Sequence, residues 1–366
     1  MSIIARDTSK KLIGSDVSLI RETPFTTGIQ RVMVETHKNL EAMFNKDQIE
    51  FRGFTSLDLP GEKYLQNSYL SSDPLLAQEL VSMKDLDVML LLDVNYAFSF
   101  MELIQLRRRK NLPVIGLIHD IIPIAHPEWF YGDHEWNKKV FREFLQKTLA
   151  VTDHLVVISE KVKRDIENLG WKVNATIHKI PLGAAHISPV KERKQEKIPT
   201  LIYLSTIEPR KGHLDLLGAF EILRAQGEEI RLVLVGRPGW LFGNIVERIK
   251  NNPDFGTYLF WESSLSDEGL AQVYNTTTLA VVPSLDEGFG LSIEESLARE
   301  LVVLARKIPV FEERPNPNLY FFDGGAPELA VAILETIEKK WKPLPANGIR
   351  TMKDFAIDLK GLIESV

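Results

Sequence analysis

The chain has 366 residues, too many for one ordinary hydrophobic core and suited to two domains. Its 44% hydrophobic and 26% charged residues describe a globular protein, its net charge of −6 gives no general pull toward nucleic acid, and no apolar run is long enough to span a bilayer. The absence of cysteine excludes disulfides and a thiol nucleophile, and MSIIARDTSKK lacks an apolar signal core, which together fit a cytoplasmic protein.

In chain order, Thr26-Thr27-Gly28 precedes Ile29, Val32, Met33, Thr36 and Leu40 at helical spacing. Thr27 reads as the cap, and Gly28 lets the backbone approach a ligand, because free amides at a helix start attract phosphate. A plain capped helix explains the same residues. Short apolar strands then alternate with amphipathic helices, the pattern of a parallel α/β sheet. Val88 to Asp93, Val114 to Ile118 and Leu155 to Ile158 form the first series. Asp85 and Asp87 precede the first of these strands and read as a solvated strand entry. The run Arg107-Arg108-Arg109-Lys110 reads first as a solvated helix end and second as a contact for anionic lipid head groups at a membrane face. His119 and Asp120 directly follow the strand VIGLI.

The polar stretch Val190 to Lys197, framed by Pro189 and Pro199, marks the domain linker, giving domains of residues 1–190 and 191–349. A second strand series begins at Leu201, Arg231, Tyr258 and Leu279. After LIYLS, the segment Thr206-Ile207-Glu208-Pro209-Arg210-Lys211-Gly212 opens a helix with two cations, where the helix dipole disfavours them. A bound polyanion explains that choice, since Arg210 forks onto phosphate oxygens and Lys211 acts as a point charge. After LAVVP, two glycines bracket Phe289 in Ser284-Leu285-Asp286-Glu287-Gly288-Phe289-Gly290, and a helix carrying Glu295 begins near Leu291. Carboxylates at a helix start also stabilise it without any ligand. Glu294 reads as the solvated neighbour of Glu295. The helix Met352 to Ile363 is expected to return to the first domain.

These residues resemble the retaining glycosyltransferases of family 4. The Glu–seven residues–Glu motif is EGFGLSIEE, Glu287 to Glu295, and the phosphate-binding segment is IEPRKG. DVSLIRETPFTTGIQRV, VIGLIHDIIPIAHPE, VVISEKVKRDI and IPLGA extend the likeness from about Asp16 to about Ile308. The resemblance implies the GT-B fold, two doubly wound Rossmann-like α/β domains facing across a cleft. It implies that Glu295 holds the ribose hydroxyls, Glu287 stabilises the donor sugar, and amides of Phe289, Gly290 and Leu291 bind sugar hydroxyls. Arg210 and Lys211 would clamp the diphosphate, Gly28 would add an amide, and His119 would contact the sugar. The base would lie near Arg237 to Trp240 and Glu262 to Ser264, with Arg237 and Ser263 as donor-binding positions. Many members carry an arginine where this chain has Ser205, which places more diphosphate charge on Arg210. The proline-rich stretch after Ile308, PVFEERPNPNLYFF, departs from the family pattern.

The implied reaction moves a sugar from a nucleotide-diphosphate donor to a glycan or lipid-linked glycan, with the cations and helix amides replacing a metal. No cofactor is implied beyond the donor itself. The TIEPRKG form resembles mannosyl- and rhamnosyltransferases of surface polysaccharides such as lipopolysaccharide, which favours GDP-mannose. Phe25 and Tyr131 to Trp136 are candidate acceptor-side residues. Two other readings share these features, a GT-B epimerase or phosphorylase and a non-catalytic nucleotide-sugar-binding subunit. Gly236, Gly239 and Gly243 have the wrong spacing for a dinucleotide oxidoreductase.

Overall fold

Strands covered on both faces carry unbroken apolar runs, and the runs of this chain become buried parallel strands. The computed structural model describes residues 10–17, 28–44, 49–54, 83–95, 98, 100–130, 135–184, 197–339, 343, 345 and 348–366. Thr26, Thr27, Phe25, Tyr131 to His134 and residues 185–196, which include all of the linker but Lys197, lie outside them, as do the side chains of Glu135 and Trp136.

In chain order the elements are β1 (Lys11–Asp16), α1 (Gly28–Phe44), β2 (Ile49–Phe54), β3 (Val88–Leu91), α2 (Phe100–Arg107), β4 (Val114–Ile118), α3 (Ile122–Ala125), α4 (Glu135–Val151), β5 (His154–Val157), α5 (Glu160–Asn168) and β6 (Thr176–Lys179). They continue with β7 (Thr200–Leu204), α6 (His213–Ala225), β8 (Arg231–Val235), α7 (Gly243–Lys250), β9 (Leu259–Glu262), α8 (Asp267–Thr276), β10 (Leu279–Val282), α9 (Leu291–Ala298), β11 (Val303–Arg306), α10 (Pro309–Glu312), β12 (Leu319–Phe322), α11 (Ala326–Glu338) and α12 (Met352–Glu364). Two units divide the chain. One draws on Met1–Ile121, Trp136–Ala185 and Thr351–Val366, the other on Ile122–Glu135 and His186–Arg350.

The first unit holds a parallel sheet in the order β2-β1-β3-β4-β5-β6. The chain reverses its direction of travel between β1 and β3, so the loops leaving those two strands diverge there and leave a crevice. In the same unit α12 packs on α1. A capping box starts α12, with Asp354 N donating to Thr351 Oγ1 at 3.3 Å and Thr351 N donating to Asp354 Oδ2 at 2.8 Å. Met352 N donates to the Ala184 carbonyl at 3.0 Å, and Met352, Phe355, Leu359 and Ile363 bury the apolar stripe.

The second unit holds a parallel sheet in the order β12-β11-β10-β7-β8-β9, which reverses between β7 and β10. Its core includes Leu201, Tyr203, Leu232, Leu234, Phe220 and Phe311.

Two surface readings from the sequence need correction. In the basic run, Arg107 Nη2 donates to Asp153 Oδ1 at 2.6 Å and Lys110 Nζ to the Lys84 carbonyl at 2.9 Å. Those outer cations fasten α2 to neighbouring strand ends, and only Arg108 and Arg109 are exposed. Asp87 is not merely solvated, because its Oδ2 accepts from Leu12 N at 2.8 Å at the start of β1. Among the described residues no helix is long and apolar enough to cross a membrane.

Candidate active site

In the second unit the loops after β7 and β10 emerge side by side at the reversal point, and local chemistry binds them together. Leu285 N donates to the Arg210 carbonyl at 2.8 Å. Gly212 has φ +69, and a Cβ there would meet the Pro283 carbonyl oxygen at 2.1 Å, so only glycine fits this approach. Tyr203, buried at the end of β7, places its hydroxyl 2.9 Å from the Lys211 carbonyl and 2.9 Å from Ser284 Oγ. Ser284 Oγ also lies 2.9 Å from Glu287 Oε1. Two hydroxyl protons serve these three contacts. Glu287 only accepts, so Ser284 gives it its proton, and the Tyr203 proton serves Lys211 and Ser284.

The loop after β8 is joined to the same group, with Ile207 N donating to the Arg237 carbonyl at 2.8 Å and Gly239 N to the Ile207 carbonyl at 2.9 Å. Farther along the β10 loop, Asp286 Oδ1 accepts from Glu287 N at 2.8 Å and sets the turn that buries Glu287. Arg306, at the end of β11, donates to the Pro283 carbonyl at 3.0 Å and braces the loop from behind.

Charge is paired within this frame. Arg210 Nη1 donates to Glu287 Oε2 at 3.0 Å, Lys211 Nζ donates to Glu287 Oε1, and Arg210 Nε lies 2.7 Å from Glu208 Oε1. Burial pushes the Glu287 carboxyl upward, but Lys211 and Arg210 outweigh it and hold the group at about 2. The two cations at the helix start are therefore compensated by Glu208 and Glu287, and the dipole conflict alone does not demand a bound anion. Side-chain exposures of 16% for Arg210 and 12% for Lys211 leave both cations reachable. Ser205 Oγ lies 3.3 Å from His213 Nε2, and burial lowers the His213 pKa to about 3.

Further along the turn, Gly290 has φ +96 and opens α9, on which Glu295 is buried. Glu294 is buried as well, contrary to the solvated position expected for it. Its Oε1 lies 3.2 Å from Arg314 Nε, whose guanidinium stacks 3.5 Å from the Phe289 ring and donates through Nη2 to the Phe289 carbonyl. Nothing near Glu294 in sequence announces that partner, twenty residues on in the atypical proline-rich stretch. Arg237 and Ser263 are exposed just beyond β8 and β9.

The first unit carries its own polar group at the β1/β3 reversal. Asn95 Nδ2 donates to Asp16 Oδ2 at 2.8 Å, and Asp93 Oδ1 accepts from Val94 N at 2.7 Å. Burial, with the Asp16 charge beside it, raises the Asp93 carboxyl to about 6 against the Val94 hydrogen bond. His119, one residue past β4, donates from Nε2 to the Leu92 carbonyl at 3.0 Å. A carbonyl only accepts, so Nε2 carries the proton and Nδ1 is left as an acceptor. Burial lowers the His119 pKa to about 4, which keeps the ring neutral at pH 7. Gly28 is the first residue of α1 and is exposed.

Comparison with known proteins follows the same division. The family described as Glycosyltransferase Family 4 matches residues 30–185, and that described as Glycosyl transferases group 1 matches residues 186–351. The chain belongs to the GT-B glycosyltransferases. The serotype-specific mannosyltransferase WbdA of Escherichia coli is 31% identical over 90% of this chain and 41% of that protein. The O-antigen chain mannosyltransferase B of Escherichia coli is 25% identical over 66% of each. This GT-B chain thus spans less than half the length of the WbdA proteins it matches, 41% to 43%.

Among solved structures, sucrose-phosphate synthase from Thermosynechococcus elongatus has the same fold, with a TM-score of 0.68 at 17% identity, covering 97% of this chain and 99% of that one. Anabaena HepE in complex with UDP and glucose gives a TM-score of 0.65 at 16% identity, covering 98% and 100%.

Proposed function

We propose that this chain is a retaining, metal-independent hexosyltransferase that takes mannose from GDP-mannose and adds it to a glycan or lipid-linked glycan in surface polysaccharide synthesis. The observation that carries the reading is the joining of Arg210, Lys211 and Glu287 at the β7/β10 reversal, where α/β sheets bind their ligands. The choice of mannose rests on the likeness to mannosyltransferases.

Breaking the bond between sugar C1 and the diphosphate oxygen builds positive charge on the ring and negative charge on the leaving group. Arg210 and Lys211 draw the leaving oxygens, while Glu287, held ionised, faces the ring. The acceptor oxygen bonds to C1, and its proton passes to the departing phosphate. In this scheme His119 accepts a sugar hydroxyl at Nδ1, Gly28 contributes an amide, and Glu295 takes the ribose hydroxyls. The exposed Arg237 and Ser263 border the base.

Turnover of GDP-mannose, followed as GDP release with excess chelator, tests the proposal. Activity is expected to survive the chelator, and Glu295→Ala is expected to raise the donor KM. Binding of GDP-mannose without turnover on any glycan acceptor would instead establish a non-catalytic binding subunit.

A further inference from the structure

We propose that Arg314 is a positioning residue that aims the backbone amides of the Phe289–Leu291 turn at the donor sugar. The inference rests on the transferase reading above and deepens it.

Among the described residues, no group accepts a hydrogen bond from the amides of Phe289, Gly290 or Leu291. Three donors are thus presented at the start of α9. What fixes their direction comes from one segment, Phe311 to Arg314. In a trans peptide the carbonyl and the following N–H point opposite ways. By gripping the Phe289 carbonyl, Arg314 therefore sets the direction of the Gly290 N–H. Its guanidinium lies 3.5 Å from the Phe289 ring and immobilises that side chain too. On the other flank, a Cβ on Gly290 would lie 2.5 Å from the Phe311 ring, so the turn is enclosed from both sides.

The ion pair behind this grip is a poor stabiliser. Burial lowers the Arg314 pKa and raises that of Glu294, so both charged forms are disfavoured by their surroundings. Glu294 is buried and Arg314 half-buried, and a pair so far withdrawn from water is often matched for stability by apolar groups of the same shape. Its presence behind a turn of unpaired amides points to geometry rather than stability.

The test uses the full chain as wild type, Arg314→Met, Glu294→Gln and the double variant. GDP and UDP probe the nucleotide end by titration calorimetry, and GDP-mannose and UDP-glucose probe turnover. Arg314→Met is expected to lower kcat by roughly 10–100-fold, the scale of a small misplacement of reacting groups. The Kd for the nucleoside diphosphate is expected to stay within about twofold. The double variant is expected to regain Tm, since no lone charge is buried, but not kcat. Recovery of kcat along with Tm in the double variant overturns the positioning role, as does an equal loss of nucleoside diphosphate affinity in Arg314→Met. A wild-type chain that binds neither GDP nor UDP overturns the transferase reading, and this inference with it.

Discussion

The two sheets reverse their strand order once each, yet the two reversal points carry different electrostatics. The second unit sets Arg210 and Lys211 against Glu208 and Glu287, a group in which every charge has a counter-charge. The first unit sets Asp16, Asp93 and Asn95 near a neutral His119, with no cation among those four. Topology supplies a place for a ligand in both, and side chains decide what each place can hold. Two reachable cations suit a diphosphate, while acceptor-rich groups with no cation among them suit hydroxyls.

The sharpest way to break the comparison is steric. Gly212→Ala would force a Cβ into the Pro283 carbonyl at a left-handed φ. Backbone strain and overpacking together are expected to cost roughly 3–4 kcal/mol, read as a fall in denaturant midpoint. In the first sheet a Cβ at Gly14 meets the buried Leu86 side chain, its Cδ atoms at 2.4 and 2.6 Å and its Cγ at 3.0 Å, and no backbone atom among these nearest contacts. Gly14→Ala is therefore expected to cost about 1 kcal/mol, because a side chain can turn aside where a carbonyl cannot. Equal losses in the two variants would mean that the loop junction is no stiffer than an ordinary strand contact.

Lys211→Ala comes next, with an expected drop in kcat of ~10²-fold from the loss of a transition-state charge partner. Unchanged turnover would show that Lys211 serves only to neutralise Glu287.

Acid acts with both signs in the first unit and with one in the second. As pH falls from 6.5 toward 4, the unfolded chain protonates a histidine that His119 keeps neutral in the fold, so stability drops. Asp93 works the other way, since its carboxyl takes up a proton in the fold near pH 6 and in the unfolded chain only near 3.8. In the second unit His213, at about 3, and Glu287, at about 2, both lose stability as pH falls below their ordinary values of 6.5 and 4.5. Asp93→Asn removes the opposing group. The variant is expected to lose ~2 kcal/mol more than wild type between pH 7 and pH 4.5. Parallel pH curves for thermal unfolding would show that Asp93 is ionised throughout.

The sequence made much of this architecture legible where apolar runs were unbroken. VIGLI matches β4 residue for residue, and LAVV matches β10. Harder to read were β1, whose run KLIGSD is interrupted by Gly14, and β6, whose TIHK is a half-exposed edge strand with no apolar run. At the candidate site, Arg210, Lys211 and Glu287 were visible through residue type and position after a strand.

The supporting set was not. Tyr203 sits within the apolar run LIYLS and Ser284 in a polar loop, and neither segment shows locally that their hydroxyls meet. Arg314 lay in a stretch without periodicity. Pairing across twenty or eighty residues depends on sheet order, and no local pattern encodes it. Nor does chain order foretell that Ile122–Glu135 clusters with the second unit.

The Leu285 amide, which donates to the Arg210 carbonyl, spans the junction between the two loops. Its proton can exchange with solvent deuterium only when that junction opens. The exchange rate of this one amide therefore reports how often the cation loop and the carboxylate loop part company. A nucleotide that grips only the cation loop would still slow it, because the two loops are one mechanical piece.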